Sequence, residues 1–150
     1  MRYLDARNIK YRIPVTHDFP AIIKLLSECS LPASDISPDR QHFLLAELDG
    51  TIIGCGGFEA YGRIALFRSL GVSSTYRKQD IGKRLTQQVM EVAQEKGILE
   101  LYLLTTTAEG FFIKQGWEVT DRKEVPHDIT GTSEFATICP STAICMKYTF

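Results

Sequence analysis

The chain has almost no net charge. Seventeen Lys and Arg face 18 Asp and Glu, a formal charge of −1, so no overall basic field draws it to nucleic acid or to an anionic membrane. No run approaches the roughly 20 apolar residues that span a bilayer. Met1 to Lys10 alternates charged and apolar residues and lacks the apolar stretch of a signal peptide. The four cysteines, Cys29, Cys55, Cys139 and Cys145, include no C-x-x-C pair. That argues against a zinc site, and a core of this size needs no disulfide staples. No metal is expected, and the cytoplasm is the expected compartment. Repeats, low-complexity tracts and long linkers are also absent, so the 150 residues read as one domain, 1–150.

What is present is an ordinary globular composition, 44% apolar and 23% charged. Lys10 to Pro14 reads as a first strand. Thr16 is a good N-cap for a helix whose apolar face is Phe19, Ile22, Ile23 and Leu26, with Pro20 tolerated in the first turn and an end near Cys29. Leu31 to Asp39 is a loop with room for one helical turn. His42–Leu48 and Thr51–Phe58 are strands joined by Asp49-Gly50, the strongest short-range hairpin signal. Ile64–Val72 follows as a third long strand. A helix with Ile81, Leu85, Val89 and Val92 on one face ends at Gly97. Leu99–Leu104 is apolar throughout, as in a buried parallel strand. Ala108–Gln115 is a short helix closed by Gly116, Trp117–Val119 starts a strand, and Thr142–Tyr148 is the last, beyond a loop around Pro126. The order β-α-β-β-β-α-β-α-β-β predicts an α/β fold: a mixed sheet covered by helices, antiparallel early and then crossing over through a helix.

The chemistry concentrates in Leu70–Leu85, LGVSSTYRKQDIGKRL. A strand ends at Val72, a short polar loop follows, and a helix starts near Ile81. Such a loop aims backbone N–H groups and the positive helix end at one point, which suits a phosphate or pyrophosphate. Arg77, Lys78, Lys83 and Arg84 add four positive charges there. Taken alone, the same stretch fits a solvated turn with a basic helix face.

Arg77-Lys78-Gln79-Asp80-Ile81-Gly82 resembles the pyrophosphate loop R/Q-x-x-G-x-G/A of the Gcn5-related N-acetyltransferase (GNAT) family. It matches at Arg77 and Gly82 and departs at Asp80, which stands in place of a glycine and is placed to cap the helix through its side chain. Thr105 to Trp117 resembles the family's N-x-x-A-x-x-F-Y-x-K-x-G-F at Ala108, Phe111, Lys114 and Gly116, with Trp117 for Phe and Thr105 for Asn. The resemblance covers nearly the whole chain and implies the GNAT fold with acetyl-CoA as cosubstrate. It implies that Leu70, Gly71 and Val72 pair with the pantetheine arm like an added strand. The Val72 N–H would polarise the thioester carbonyl, and Arg77, Lys78, Gln79, Asp80, Ile81, Gly82 and Lys83 would hold the pyrophosphate. Thr105, Ala108, Phe111 and Phe112 would line the other wall of the cleft.

The implied reaction is direct attack of a primary amine on acetyl-CoA, with a general base to take the ammonium proton. The tyrosine that serves much of the family as acid is Phe112 here, leaving Tyr102, Tyr61 or unassisted departure of the thiolate. Glu59 and Arg68 are the acceptor-side candidates, because Arg68 interrupts an apolar strand face where an unpaired charge is costly. Two readings stay open for them: a structural ion pair, or Glu59 as base with Arg68 anchoring a substrate carboxylate. His17 and His42 are read as incidental, and Cys139 and Cys145 as core or loop thiols. Leu101–Phe112, Arg122–Pro126, Thr132–Phe135 and Cys139–Ser141 are similar to the acetyltransferases of bacterial arsenic-resistance gene clusters, and more distantly to the acetyltransferase domain of N-acetylglutamate synthases. That implies an amino acid or related zwitterion as acceptor. A small-molecule amine is thus the expected partner, with neither nucleic acid nor membrane involved and homodimerisation left open. A noncatalytic acyl-CoA-binding module and a protein or peptide N-acetyltransferase are the competing readings.

Overall fold

Seven strands form one mixed sheet: β1 (Ile9–Arg12), β2 (Gln41–Leu48), β3 (Thr51–Tyr61), β4 (Ile64–Val72), β5 (Glu100–Thr105), β6 (Glu118–Val119) and β7 (Ile144–Thr149), in the order β1-β2-β3-β4-β5-β7-β6. The structure, a computed structural model, describes residues 8–37, 41–138 and 142–150. Residues 1–7, Cys139 and Pro140 therefore lie outside the described residues. The helices are α1 (Phe19–Glu28), α2 (Ile81–Glu95), α3 (Glu109–Lys114) and α4 (His127–Thr130). Asp49 and Gly50 turn the β2–β3 hairpin with φ of 50° and 81°, left-handed values that Asp-Gly accepts and most residues resist.

Period-2 alternation divides the side chains between two faces. On one face the apolar stripe of α2, with Ile81, Leu85, Val89 and Ala93, packs on Phe58, Phe67, Leu101, Leu103 and Met146, with Trp117 and Phe112 beside them. The other face carries two smaller cores. Ile22, Leu25 and Leu26 of α1 cover Leu45 and Cys55, while Val125, Ile129 and Phe135 cover Leu66, Tyr102 and Cys145. Each buried Leu or Ile contributes about 1.5–3 kcal/mol, so each patch holds its short helix in place. Between the two cores the register aligns polar residues instead: Gln41 opposite Glu59, and Gly57 opposite Arg68.

The sheet is interrupted at the strand that matters. Parallel pairing of β4 with β5 stops after Ile64↔Glu100, Ala65↔Leu101 and Leu66↔Tyr102. Yet β4 continues along β3 to Val72, and β5 continues along β7 to Thr105. Opposite Gly56, β4 also carries an extra residue: the register jumps from Cys55↔Gly71 to Gly57↔Arg68, and Ser69 sits at φ 63°. This bulge bends the strand away from its neighbour.

Several sequence expectations shift by a few residues. The first strand is Ile9–Arg12, and Trp117 precedes β6 rather than joining it. Thr16–Asp18 forms a 3₁₀ turn, so α1 begins at Phe19, and the Asp18 carboxylate, not Thr16, accepts an N–H there, that of Val15 at 2.7 Å. No helical turn forms within residues 31–37. The loop expected around Pro126 instead contains α4 and a π-helical turn, Glu134–Ile138.

Gly57 shows how tightly the β2–β3 pair is built. A Cβ there would stand 2.5 Å from the His42 carbonyl oxygen and 2.8 Å from the Phe43 ring. Gly57→Ala is expected to cost about 1–3 kcal/mol through overpacking, read as a lower urea midpoint with unchanged slope. An unchanged midpoint contradicts this packing.

Candidate active site

Where β4 parts from β5, three elements meet at Gly82. A Cβ placed on Gly82 would lie 3.7 Å from the Val72 side chain and 3.9 Å from the Phe111 ring, so the end of β4, the first turn of α2 and α3 surround one point. The loop leading there holds a 3₁₀ turn, Ser74–Tyr76, then Lys78 at φ 65° and Asp80 at φ 63°. Arg77 ties the loop to the strand end, its Nε donating to the Val72 carbonyl at 3.0 Å. The Arg84 N–H closes the first α2 bond, onto the Asp80 carbonyl at 3.0 Å. The N–H groups of Ile81, Gly82 and Lys83 precede any intrahelical acceptor and carry the positive end of a 15-residue helix. Arg77, Lys78, Lys83 and Arg84 are all exposed around that point.

Asp80 does not cap α2 through its side chain as its position suggests: it makes no side-chain cap bond and adopts the left-handed conformation. Glycine takes that conformation freely, and Asp is among the few other residues that tolerate it. The departure at Asp80 therefore preserves the loop's course. Gln79 Oε1, buried in the same loop, has no hydrogen-bond partner.

Across the cleft, Thr105 Oγ1 accepts the Ala108 N–H at 2.9 Å and so shapes the entry to α3. Phe111 is half-buried beside Gly82, but Phe112 does not line the cleft wall as expected. It is buried, edge-on to Phe67 at 5.8 Å and to Trp117 at 5.6 Å. A side chain at 112 thus faces the α2-side core. Tyr102 offers no donor to the cleft either: its hydroxyl donates to Glu100 at 3.0 Å, and burial followed by Glu100 pushes its pKa up. His42 stacks on Phe58 at 4.9 Å, and the exposed His17 lies in the 3₁₀ turn before α1.

On the α1 side of the sheet the polar residues converge on Arg68. Its side chain is wholly enclosed, and four of its five N–H donors are taken: Nη1 and Nη2 by the two Asp35 oxygens at 2.5 and 2.6 Å, Nη1 by Glu59 Oε1 at 2.6 Å, and Nε by Ser69 Oγ at 2.9 Å. Burial works against that charge, but the Asp35 bonds, the field of Glu134 and the Glu59 bond hold its pKa above the usual arginine range. Burial likewise raises the Asp35 pKa, and the Arg68 bonds overcome it, leaving it lowered. Gln41 Nε2 donates to Glu59 Oε1 at 2.8 Å and to the Asp35 carbonyl at 3.0 Å, while Tyr61 donates to Glu59 Oε2. Asp35, Gln41, Glu59 and Tyr61 then open into a cavity of about 490 Å³ whose far wall is His127, Asp128 and Gly131–Ser133. Among the described residues no Lys or Arg lines it.

The structure thus displays the ion pair between Glu59 and Arg68, extended by Asp35 and Gln41. Neither of these two stood out in the sequence, because they look like ordinary loop and strand-end polar residues until topology brings them to Arg68.

A family model for the acetyltransferase (GNAT) domain matches residues 39–119, over half of the chain. The chain belongs to the GNAT acetyltransferase family. An uncharacterized N-acetyltransferase of Chlorobaculum tepidum is 31% identical over 104 residues, 69% of this chain and 64% of that protein. An amino-acid acetyltransferase of Pasteurella multocida is 23% identical over 77% of this chain but only 28% of its own length. The chain thus spans about two thirds of one relative and under a third of the other. The N-acetylglutamate synthase of Neisseria gonorrhoeae, solved with coenzyme A and N-acetyl-glutamate, superimposes with a TM-score of 0.79 at 20% identity, over 94% of this chain and 35% of that one. At that identity the likeness speaks for the GNAT fold alone.

In this GNAT domain, Arg68→Ala strands buried carboxylates and is expected to cost about 3–5 kcal/mol at pH 7. The Asp35 pKa is lowered in the folded state, so its contribution exists above its unfolded pKa and is lost as pH falls through the folded value. Wild-type and variant stabilities should accordingly converge in acid. Denaturant titrations at pH 7 and pH 3 check this; an equal gap at both pH values contradicts it.

Proposed function

We propose that the chain transfers the acetyl group of acetyl-CoA to the primary amine of a small molecule, an amino acid or related zwitterion. The observation that carries this is the parting of β4 from β5 directly beside the exposed N-terminus of α2. Phe67 to Val72 have no β5 partner, so Leu70, Gly71 and Val72 present a free strand edge to an extended pantetheine arm. The N–H groups from Ile81 to Lys83, with Arg77 and Lys78 beside them, suit the pyrophosphate. Gln79 and Asp80 contribute through their backbone N–H groups, and Thr105, Ala108 and Phe111 close the other wall. The Val72 N–H is the donor assigned to the thioester carbonyl, where negative charge develops in the transition state.

Glu59 and Arg68 belong to the acceptor side. Since Arg68 has at most one free N–H, its part is to hold Asp35 and Glu59 at the cavity wall rather than to grip a carboxylate itself. With Phe112 in the core, the thiolate leaves without a tyrosine acid; its modest pKa makes it a tolerable leaving group. The amino-acid acceptor is supported by the amino-acid acetyltransferases among the relatives. The kinship with arsenic-resistance-cluster enzymes rests on the sequence motifs, of which Cys139–Ser141 lie outside the described residues. Among the described residues no helix is long and apolar enough to cross a membrane, and we assign the activity to the cytoplasm.

A panel of amino acids and simple amines, scored by thiol release from acetyl-CoA, tests the reading; no release with any amine contradicts it. Gly82 supplies the control for the site. Gly82→Ala meets only ordinary contacts and should bind acetyl-CoA, whereas Gly82→Glu puts a carboxylate among the N–H groups and should abolish binding in calorimetry. Unchanged binding by the Glu variant removes the pyrophosphate from this loop.

A further inference from the structure

The two faces of β4 are closed differently at the open end of the gap. The Ser73 N–H donates to the Ile53 carbonyl at 2.8 Å, and Val72 lies opposite Gly54. Hydrogen-bonded pairs alternate along an antiparallel ladder, so the Val72 N–H and carbonyl turn away from β3, into the gap. Leu70 and Val72 send their side chains to the α2 side and pack on its core. Gly71, between them, faces α1. A Cβ built on Gly71 would stand 3.2 Å from Cys29 Sγ and 3.4 Å from Leu31 Cδ1. Both distances fall short of the roughly 3.5–4.0 Å at which such atoms pack best, so the two side chains form a low roof over the strand. That roof is fixed by how α1 ends. Ser30 takes φ 58°, the Leu31 N–H bonds back to the Leu26 carbonyl at 2.9 Å, and the Ser30 N–H bonds to the Ser27 carbonyl at 3.1 Å. This is the paired closure of a Schellman motif. Cys29 and Leu31 pack on the Leu45–Cys55 core. The Cys29 thiol also donates to the Val72 carbonyl at 3.5 Å and accepts from Arg77 Nη2 at 3.5 Å, tying the helix end to the strand end.

We propose that Cys29 and Leu31 set the acyl-chain length of the donor and hold it to acetyl; this rests on the acetyl-transfer reading above. With the thioester carbonyl at the Val72 N–H, the acyl group lies in the gap beside Gly71. Its tail has no room toward α2, where the Val72 side chain and the Phe111 ring close on Gly82. It turns to the α1 side, into the space that glycine's missing side chain leaves, and there Cys29 Sγ and Leu31 Cδ1 stop it. An acetyl methyl fits under this roof, whereas a longer chain must displace an anchored side chain. Overpacking of that kind is unfavourable, and one methylene in a closed apolar pocket is worth roughly 10- to 200-fold in discrimination. Neither residue lines the cavity at Asp35 and Glu59, so the choice of donor and the choice of acceptor rest on different side chains.

The test measures kcat/KM for acetyl-, propionyl- and butyryl-CoA with one amine, the acceptor of highest turnover in the panel. Wild type should favour acetyl-CoA over butyryl-CoA by about 100-fold or more. Leu31→Ala and Cys29→Ala should each narrow that preference, Leu31→Ala by about tenfold or more. Both donors are compared in one preparation, so the ratio is independent of the fraction folded. Calorimetry gives a readout without turnover. Leu31→Ala should lower the Kd of butyryl-CoA about tenfold relative to that of CoA, which has no acyl group to place. A wild type that uses butyryl-CoA as well as acetyl-CoA overturns the proposal, and so does a donor ratio unchanged in both alanine variants. No thiol release from any donor with any amine sinks the transfer reading instead. The calorimetric ratio then decides the roof by itself: a fall in Leu31→Ala supports it, and an unchanged ratio overturns it.

Discussion

Beyond Leu66 and Tyr102 two neighbouring strands of one sheet share no hydrogen bonds, and the rest of the structure is arranged around that gap. Such a gap is unfavourable unless something sustains it, because strand edges carry unpaired polar groups that would close on each other. The bulge at Ser69 bends β4. Phe67, Phe112 and Trp117 form an edge-to-face cluster on the α2 side of the sheet, filling the space between β4 and α3. On the opposite face Arg68 and its carboxylates hold β3, β4 and the α1–β2 loop as one unit. The apolar wedge on one face and the ionic frame on the other keep an open groove from collapsing into a continuous sheet.

Function follows from what lies at the two ends of the gap. At its C-terminal end are the helix N-terminus and four exposed cations, a setting for an anionic cosubstrate. On the α1 face near its closed end is a cavity walled by carboxylates, with no Lys or Arg among its described lining residues, a setting that suits the cationic amine of the proposed reaction. In the proposed reaction this opposite polarity would keep the two substrates from exchanging places, sorting them before any specific contact is made.

Much of this architecture could be read from periodicity. The Asp49-Gly50 hairpin, the α2 stripe and the apolar β5 carry local signals, and each appears within a few residues of its expected place. The basic loop before α2 was visible as charge and position. Other features have no local signature. Ser69 and Lys78 adopt left-handed conformations that nothing in their residue types announces. Asp35, Gln41 and Glu134 come from a loop, a strand end and a π-helical turn, and only strand order brings them to Arg68. The four residues of α4, between Pro126 and Gly131, are too few to show a period, so the sequence there carries no helical signal. Phe112 was legible as a departure from the family pattern, but its burial depends on Phe67 and Trp117, far away in sequence.

The central claim is that the parted edge of β4 and the first turn of α2 together receive the cosubstrate. Hydrogen exchange of the backbone amides with and without coenzyme A addresses it most directly. The account predicts slowed exchange confined to residues 67–73 and 77–84, with β1, β2 and β7 unchanged. Protection absent from both segments, or appearing mainly along the β1–β2 edge, would contradict it.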